Sequence, residues 1–176
     1  MVQFPEGYRL EALERRHARE NFRSGQPQVD RWLREQALQR QLKRLSSTRV
    51  LIGPDSELGG YYTLATGQVD FGELPAELAK KVPKRGLPVA VLAWLGVAAR
   101  FQGRRLGTML LAQALNDCFE AGETFPFVAV VLDCVDGPAK AFYSQWDFRQ
   151  LPGRPMRLFL SAAELKAMVG AKPESG

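Results

Sequence analysis

The run Pro88-Val-Ala-Val-Leu-Ala-Trp-Leu-Gly-Val97 constrains this chain more than any other stretch. A strand with one wet face alternates apolar and polar residues, whereas this one is apolar at nearly every position. Such a run belongs at the centre of a sheet covered on both faces. The apolar stretch around it, Leu87 to Ala99, is 13 residues long and contains a proline. That is short of the roughly 18 needed to span a bilayer. Gly96, in the last turn of the run, marks a bulge or a close backbone approach. The rest of the chain must therefore supply helices for two faces and strands for two edges.

The flanking sequence does so. Val29, Trp32, Leu33 and Ala37 fall at helical spacing within Gln28–Leu45, a stretch free of Gly and Pro. It reads as an amphipathic helix with Arg31, Arg34, Arg40, Lys43 and Arg44 on its polar side. Ser24-Gly25-Gln26-Pro27 separates it from a shorter helical pattern at about Leu10–Arg19. Thr48–Ile52 and Gly60–Val69 read as a hairpin through residues 53–59. Phe71 to Gly86 is loop-like and carries Lys80, Lys81, Lys84 and Arg85. After the central strand come a helix at Arg104–Ala121, a buried strand at Phe125–Leu132 and a short helix at Pro138–Trp146. Strands at Phe148–Leu151 and Met156–Leu160 close the pattern. A last helix follows, capped by Ser161 with Glu164 at the capping-box position. At 176 residues the chain reads as one mixed α/β (α+β) domain over 1–170, with 171–176 a frayed tail.

Several chemistries are excluded by inventory. Cys118 and Cys134 are too few and too far apart for a disulfide framework or a metal knot. His17 is the only histidine, in an Arg-rich stretch, and reads as a solvated helix residue rather than a ligand or a triad base. No metal site is expected. The N-terminus lacks the apolar region of a secretory signal, so a cytoplasmic protein is expected, with no membrane association.

Two segments carry chemistry. Val97-Ala-Ala-Arg-Phe-Gln102-Gly103-Arg104-Arg105-Leu106-Gly107 joins the buried strand directly to an amphipathic helix. A Gly-containing strand-to-helix turn presents free backbone N–H groups at the positive end of a helix, an anion site that Arg104 and Arg105 reinforce. Glycine used only for tight packing is the alternative. The segment is neither a Walker loop nor a dinucleotide fingerprint. The second is Leu132-Asp-Cys-Val-Asp-Gly-Pro-Ala139-Lys-Ala-Phe142-Tyr143-Ser-Gln-Trp-Asp147-Phe148. By themselves Tyr143 and Phe142 read as packing aromatics. Asp133 and Asp136 read as solvated loop acids, and Cys134 as a small core residue.

Together the two segments resemble the GNAT N-acetyltransferase superfamily. Gln102 and Gly107 match the ends of its Gln/Arg-x-x-Gly-x-Gly/Ala motif. Ala139, Phe142, Tyr143 and Phe148 match its Ala-x-x-Phe-Tyr-x-x-x-Gly-Phe pattern. Arg105 and Asp147 stand where that family generally has Gly. The N-terminal Phe22-x-Ser24-Gly25-x-x-x-Val29-Asp30-x-Trp32-Leu33 is similar to a subgroup of bacterial toxins that acetylate aminoacyl-tRNA and are encoded with ribbon-helix-helix antitoxins. Gly60-Tyr-Tyr-Thr-Leu-Ala and Pro155-x-Arg157-Leu-Phe-Leu160 extend the likeness. Trp94 and Ala98 depart from it, where the subgroup often has Arg and Asp.

The resemblance implies a GNAT fold, with a mixed, mostly antiparallel twisted sheet splayed at the fourth strand and flanked by helices. It implies acetyl-CoA as cosubstrate and direct attack of an amine on the thioester. Backbone N–H groups of Leu95, Gly96 and Val97 would polarise the thioester carbonyl. Gln102, Gly103, Arg104, Arg105, Leu106 and Gly107 would hold the pyrophosphate, with Ala139 and Phe142 also along the cofactor. Tyr143 would give the leaving thiolate its proton. No general base stands out.

The charge adds one pointer. Residues 1–49 carry eleven basic against six acidic side chains, and the remainder of the chain thirteen of each, so the whole net charge of +5 is N-terminal. This is either a solvated helix face or an electrostatic footprint for phosphates. Arg16, Arg19, Arg31, Arg34, Lys80, Lys81, Lys84 and Arg85 are the candidates for contacting tRNA, with no aromatic stacking platform evident among them. A homodimer and an antitoxin partner are expected by resemblance. Acetylation of a small-molecule or protein amine is the alternative activity, and a catalytically weak GNAT-fold binding module the alternative class.

Overall fold

A computed structural model describes residues 1–170; the tail expected at 171–176 lies outside them. Seven strands are ordered β1-β2-β3-β4-β5-β7-β6: Arg9–Ala12, Ser47–Ile52, Leu58–Asp70, Gly86–Val97, Ala129–Asp133, Arg149–Leu151 and Arg154–Ser161 for β1 to β7. The helices are α1 (Pro27–Arg31), α2 (Ala37–Leu42), α3 (Ala76–Ala79), α4 (Leu106–Thr124), α5 (Gly137–Ser144) and α6 (Ala162–Gly170). β4 and β5 pair in parallel; β1–β2, β2–β3, β5–β7 and β6–β7 are antiparallel. No helix among the described residues is long and apolar enough to cross a membrane.

The chain divides into two compact units, and strands β3 and β4 each continue from one into the other. The first comprises Met1–Ala65 and Leu92–Asn116. Here β1 pairs with β2 from Arg9↔Ile52 to Ala12↔Arg49, and β2 with β3 from Ser47↔Leu64 onwards. Two glycines let helices reach the strands. A Cβ at Gly60 on β3 would lie 2.8 Å from Leu110 Cδ1 of α4, and a Cβ at Gly96 on β4 would lie 2.5 Å from Val29 Cγ1 of α1. Close approach is thus what Gly96 provides. Between the sheet and the N-terminal helices runs a short polar chain: Thr48 and Thr63 hydroxyls bond at 2.7 Å, and the Trp32 indole N–H donates to Thr63 at 3.1 Å. Tyr61 donates to the Val29 carbonyl at 2.6 Å. The Thr48, Thr63 and Tyr61 hydroxyls and the Trp32 indole N–H each have a partner, which lets the tyrosine and threonines sit in the core.

The second unit comprises Thr66–Val91 and the described residues from Asp117 on. Its core gathers Val69, Leu87, Val89, Val131, Leu151 and Phe159. The parallel β4–β5 ladder runs from Val89↔Ala129 to Val91↔Val131 and ends there, halfway along β4. Ser161 and Glu164 form the expected reciprocal cap on α6: Glu164 N–H donates to Ser161 Oγ (3.1 Å) and Ser161 N–H to Glu164 Oε2 (2.9 Å).

Several expectations are corrected. The pattern at Leu10–Arg19 is not a helix. Its start, Arg9–Ala12, adds an edge strand to β2, and a tight turn follows in which His17 N–H donates to the Glu14 carbonyl at 3.1 Å. A marginal ten-residue helix cannot compete with an open sheet edge that offers a full ladder. His17 is not solvated but 6% exposed. Its Nδ1 accepts the Glu14 N–H at 2.9 Å, so its Nε2 carries the proton and donates to Glu11 Oε2 at 2.7 Å. The helix expected over Gln28–Leu45 stops at Leu42 and is interrupted by a π-helical turn over Trp32–Gln36. Arg44, at φ 60°, ends it two residues later. The loop-like stretch contains α3 and a 3-10 turn at Phe71–Glu73. Phe125 is 79% exposed, and β5 begins only at Ala129.

Two outcomes are expected. Gly96→Ala forces α1 off the strand and lowers the unfolding free energy by about 1–3 kcal/mol; the double change with Val29→Ala recovers part of that loss in a urea-denaturation cycle. Glu11 is held down at about 2 from 4.5, by the His17 hydrogen bond first and then by Arg9 and Arg16. A lowered carboxylate stabilises above its unfolded pKa and loses that contribution as pH falls through the folded value. Glu11→Gln therefore melts lower than the parent at pH 7, and the gap closes between about pH 4.5 and pH 2.

Candidate active site

In the first unit the segment after β4 is fastened to the N-terminal region. Ala98 N–H donates to the Gly59 carbonyl (2.9 Å), and Ala99 N–H to the Arg23 carbonyl (2.7 Å). A 3-10 turn at Ala99–Phe101 buries the Phe101 ring, which meets Tyr8 edge-on at 6.1 Å. The guanidinium groups of Arg100 and Arg104 lie 5.2 and 5.5 Å from the centre of that ring. Gln102 acts here as a strut. Its amide Nε2 donates to the Ser24 carbonyl at 2.7 Å and to the Val97 carbonyl at 2.9 Å. Both amide hydrogens are thus engaged by protein carbonyls, and what Gln102 supplies to a ligand is the position of the loop.

Beyond it the backbone opens. Gly103 (φ 79°) and Arg105 (φ 62°) are both left-handed, and α4 begins at Leu106. The first intrahelical bond runs from Met109 N–H to the Arg105 carbonyl at 3.1 Å, so the N–H groups of the preceding turn face outwards. Alternating left-handed residues followed by a helix N-terminus make a concave nest of donors suited to phosphate oxygens. A Cβ at Gly103 would meet nothing within 4 Å, and one at Gly107 only Val97 Cγ2 at 3.6 Å. Tight packing therefore does not explain these two glycines. The departures from the family pattern gain a cause as well: Arg105 and Asp147 (φ 65°), where Gly is usual, both occupy the left-handed region. Those positions ask for a backbone conformation that Gly adopts freely, that Asp tolerates, and that costs Arg about 1 kcal/mol.

The N-terminal signature proves to be part of this support. The Phe22 ring is buried edge-on against Tyr61 at 5.5 Å. Asp30, 5% exposed, accepts from Ser24 N–H (2.9 Å) and Ser24 Oγ–H (2.6 Å). The same Ser24 offers its carbonyl to Gln102.

In the second unit Asp136 caps α5, its Oδ1 accepting the Ala139 N–H at 2.8 Å. It is a structural cap rather than a solvated acid. Asp133 pairs with Arg157 through two bonds of 2.8 and 3.0 Å. Cys134 is buried, as expected. Phe142, expected in the core, is only half-buried; the buried ring is that of Tyr143, between Phe142 (5.2 Å) and Phe148 (6.1 Å). Burial, with a smaller contribution from Cys134, pushes the Tyr143 phenol well above its ordinary pKa of 10. The phenol thus stays protonated throughout the neutral range. The same desolvation would make a departing thiolate more basic.

The candidate RNA-contacting cations are unequal. Arg31, Lys80, Lys81, Lys84 and Arg85 are exposed. The Arg16 guanidinium is taken by Glu11 (2.8 Å) and Glu14 (2.7 Å). Arg34 is half-buried and reaches the Phe22 carbonyl at 3.4 Å, while Arg19 is half-buried with its Nε unpartnered.

The model of the Acetyltransferase (GNAT) family matches residues 15–148 of this chain. The chain belongs to the GNAT family. It is accordingly an acetyl-CoA-dependent N-acetyltransferase. A tRNA-acetylating toxin of Mycobacterium tuberculosis (strain ATCC 25618 / H37Rv) is 32% identical over 150 residues, covering 85% of this chain and 89% of its own. Two toxins of solved structure share the fold. A tyrosine-to-phenylalanine mutant of KacT matches with TM-score 0.86 at 22% identity, over 93% of this chain and 99% of its own. AtaT complexed with acetyl-methionyl-tRNAfMet matches with TM-score 0.83 at 21% identity, over 92% and 98%. AtaT is also similar in a complex with the C-terminus of the antitoxin AtaR, with TM-score 0.79 at 18% identity, over 93% and 98%. The structure thus bears out the mixed sheet flanked by helices that the sequence resemblance implied.

If backbone donors hold the phosphates, Arg105→Gly keeps acetyl-CoA affinity within a few-fold and stability within about 1 kcal/mol, because relief of backbone strain offsets the freer unfolded chain. Arg105→Val, β-branched in a left-handed site, is destabilised instead. Urea denaturation and acetyl-CoA titration calorimetry read both. A tenfold loss of affinity in Arg105→Gly would assign the phosphates to the guanidinium.

Proposed function

We propose that this acetyltransferase is a cytoplasmic toxin that acetylates the α-amino group of aminoacyl-tRNA and so blocks translation. The observation that carries this reading is the 32% identity, over 85% of the chain, to a tRNA-acetylating toxin. The N-terminal basic surplus and the exposed Arg31, Lys80, Lys81, Lys84 and Arg85 support it, since phosphate contacts dominate affinity for RNA.

In this reading Leu95–Val97 present backbone N–H to the thioester carbonyl, and the Gln102–Gly107 nest, with Ala139 and Phe142, holds the donor. The neutral amine attacks the carbonyl carbon. The C–S bond breaks as the amide forms, and the Tyr143 phenol supplies the proton to the sulfur. The proton shed by the amine nitrogen passes to water, from which the tyrosinate is reprotonated. A ribbon-helix-helix antitoxin is the protein partner, and a homodimer the working form.

Expression of the parent protein in a bacterium arrests growth, and Tyr143→Phe relieves the arrest. In vitro that substitution lowers kcat by about 10²–10⁴-fold with little change in acetyl-CoA KM. Radiolabel from acetyl-CoA should appear on aminoacyl-tRNA. Transfer confined to small amines or protein lysines would overturn the assignment.

A further inference from the structure

The structure brings together two residues 62 positions apart. Trp32, in the π-helical turn after α1, and Trp94, on β4, stack with ring centres 5.5 Å apart and planes inclined by 17°. Both stay half-exposed, unlike the fully buried tyrosines beside them. The Trp32 N–H is tied to Thr63 at 3.1 Å, which fixes that ring; the Trp94 N–H has no partner among the described residues.

Strand alternation says which way the pair faces. Successive side chains of β4 point to opposite faces, so Trp94 and Gly96 share one face and Leu95 and Val97 the other. The Gly96 face is the one that meets Val29 of α1, and the Val97 face the one that meets Gly107 of α4. The donor nest at the start of α4 therefore lies on the opposite side of the strand from Trp94. Trp94 stands on the α1 side, about 7 Å along the strand from Gly96, and unlike Gly96 it keeps part of its surface exposed.

The surroundings select the occupant. Trp32 sits between Arg31 and Arg34, and five basic residues oppose two acidic ones from Pro27 to Leu45. A rigid pair of π faces beside cations is the combination that binds single-stranded nucleic acid, with bases on rings and phosphates on cations. We propose that Trp32 and Trp94 form a stacking platform for an unpaired nucleobase at the 3′ acceptor end of the RNA. The proposal deepens the aminoacyl-tRNA reading and rests on it. Trp94 is a specificity-determining residue here, with no part in proton transfer.

The test uses the full-length protein and deacylated rCCA trinucleotide. Stacking should quench tryptophan fluorescence, and a blunt RNA duplex of matched charge should not. Trp94→Leu should weaken rCCA binding by about tenfold or more, and Trp94→Phe by less, as expected where base stacking contributes. The same order should appear in KM for aminoacyl-tRNA, while acetyl-CoA binding by calorimetry and the melting temperature stay near the parent values. Equal rCCA affinity for the parent and Trp94→Leu would overturn the platform, as would a duplex that quenches equally well. A parent protein that binds rCCA in this Trp94-dependent way yet acetylates no aminoacyl-tRNA would bring down the toxin reading alone. A parent that acetylates aminoacyl-tRNA with no dependence on residue 94 would bring down the platform alone.

Discussion

The contact on which the candidate site depends is the approach of α1 to the second half of β4 at Gly96. A single methyl at that position would lie 2.5 Å from Val29, well inside van der Waals distance. With hydrogen there, the helix settles against the strand. Tyr61 then closes on the Val29 carbonyl, and Ser24 meets Asp30 across the turn before the helix. The Ser24 carbonyl is then in place for Gln102. Packing at one glycine thereby places the Gln102–Gly107 loop through successive hydrogen bonds, each short and each between groups held by others.

This arrangement gives the N-terminal signature a physical meaning. Phe22, Ser24, Val29 and Asp30 need not touch a substrate. They are scaffold, and the loop of Gln102–Gly107 takes its position from them. The charge surplus belongs to the same region but not to the same task. Arg9 and Arg16 converge on Glu11, together with the buried His17, and stabilise the fold locally. Arg31 remains exposed beside the tryptophan pair. Net charge summed over the segment conceals that division, because ion pairs within the segment subtract from what a ligand can feel.

Much of the fold was legible because its strongest signals are periodic. The unbroken apolar run of β4, the helical stripe of α4 and the reciprocal Ser161–Glu164 cap each encode their structure locally. The family pattern in Gln102–Gly107 and Ala139–Phe148 was readable for the same reason, since each is a short contiguous stretch of backbone with its own conformation. Where the sequence misled, a distant partner decided. Arg9–Ala12 extends because β2 offers an edge about 40 residues away, and the turn after that strand holds His17 in hydrogen bonds to Glu11 and Glu14. The π-helical turn at Trp32 breaks a stripe that reads as regular.

By itself, the sequence determined the mixed fold with its apolar central strand, the glycine-containing turn from that strand into α4, and membership of an acetyltransferase family. These are carried by local periodicity and by residues close in the chain. Only the tertiary structure decided that Gln102 is a strut, that Arg105 and Asp147 stand at left-handed positions, and that Trp32 and Trp94 stack. A dihedral outlier, an occupied amide or a ring pair depends on where remote segments meet. Hydrophobic pattern specifies which face of an element is buried, but not which side chain it is buried against.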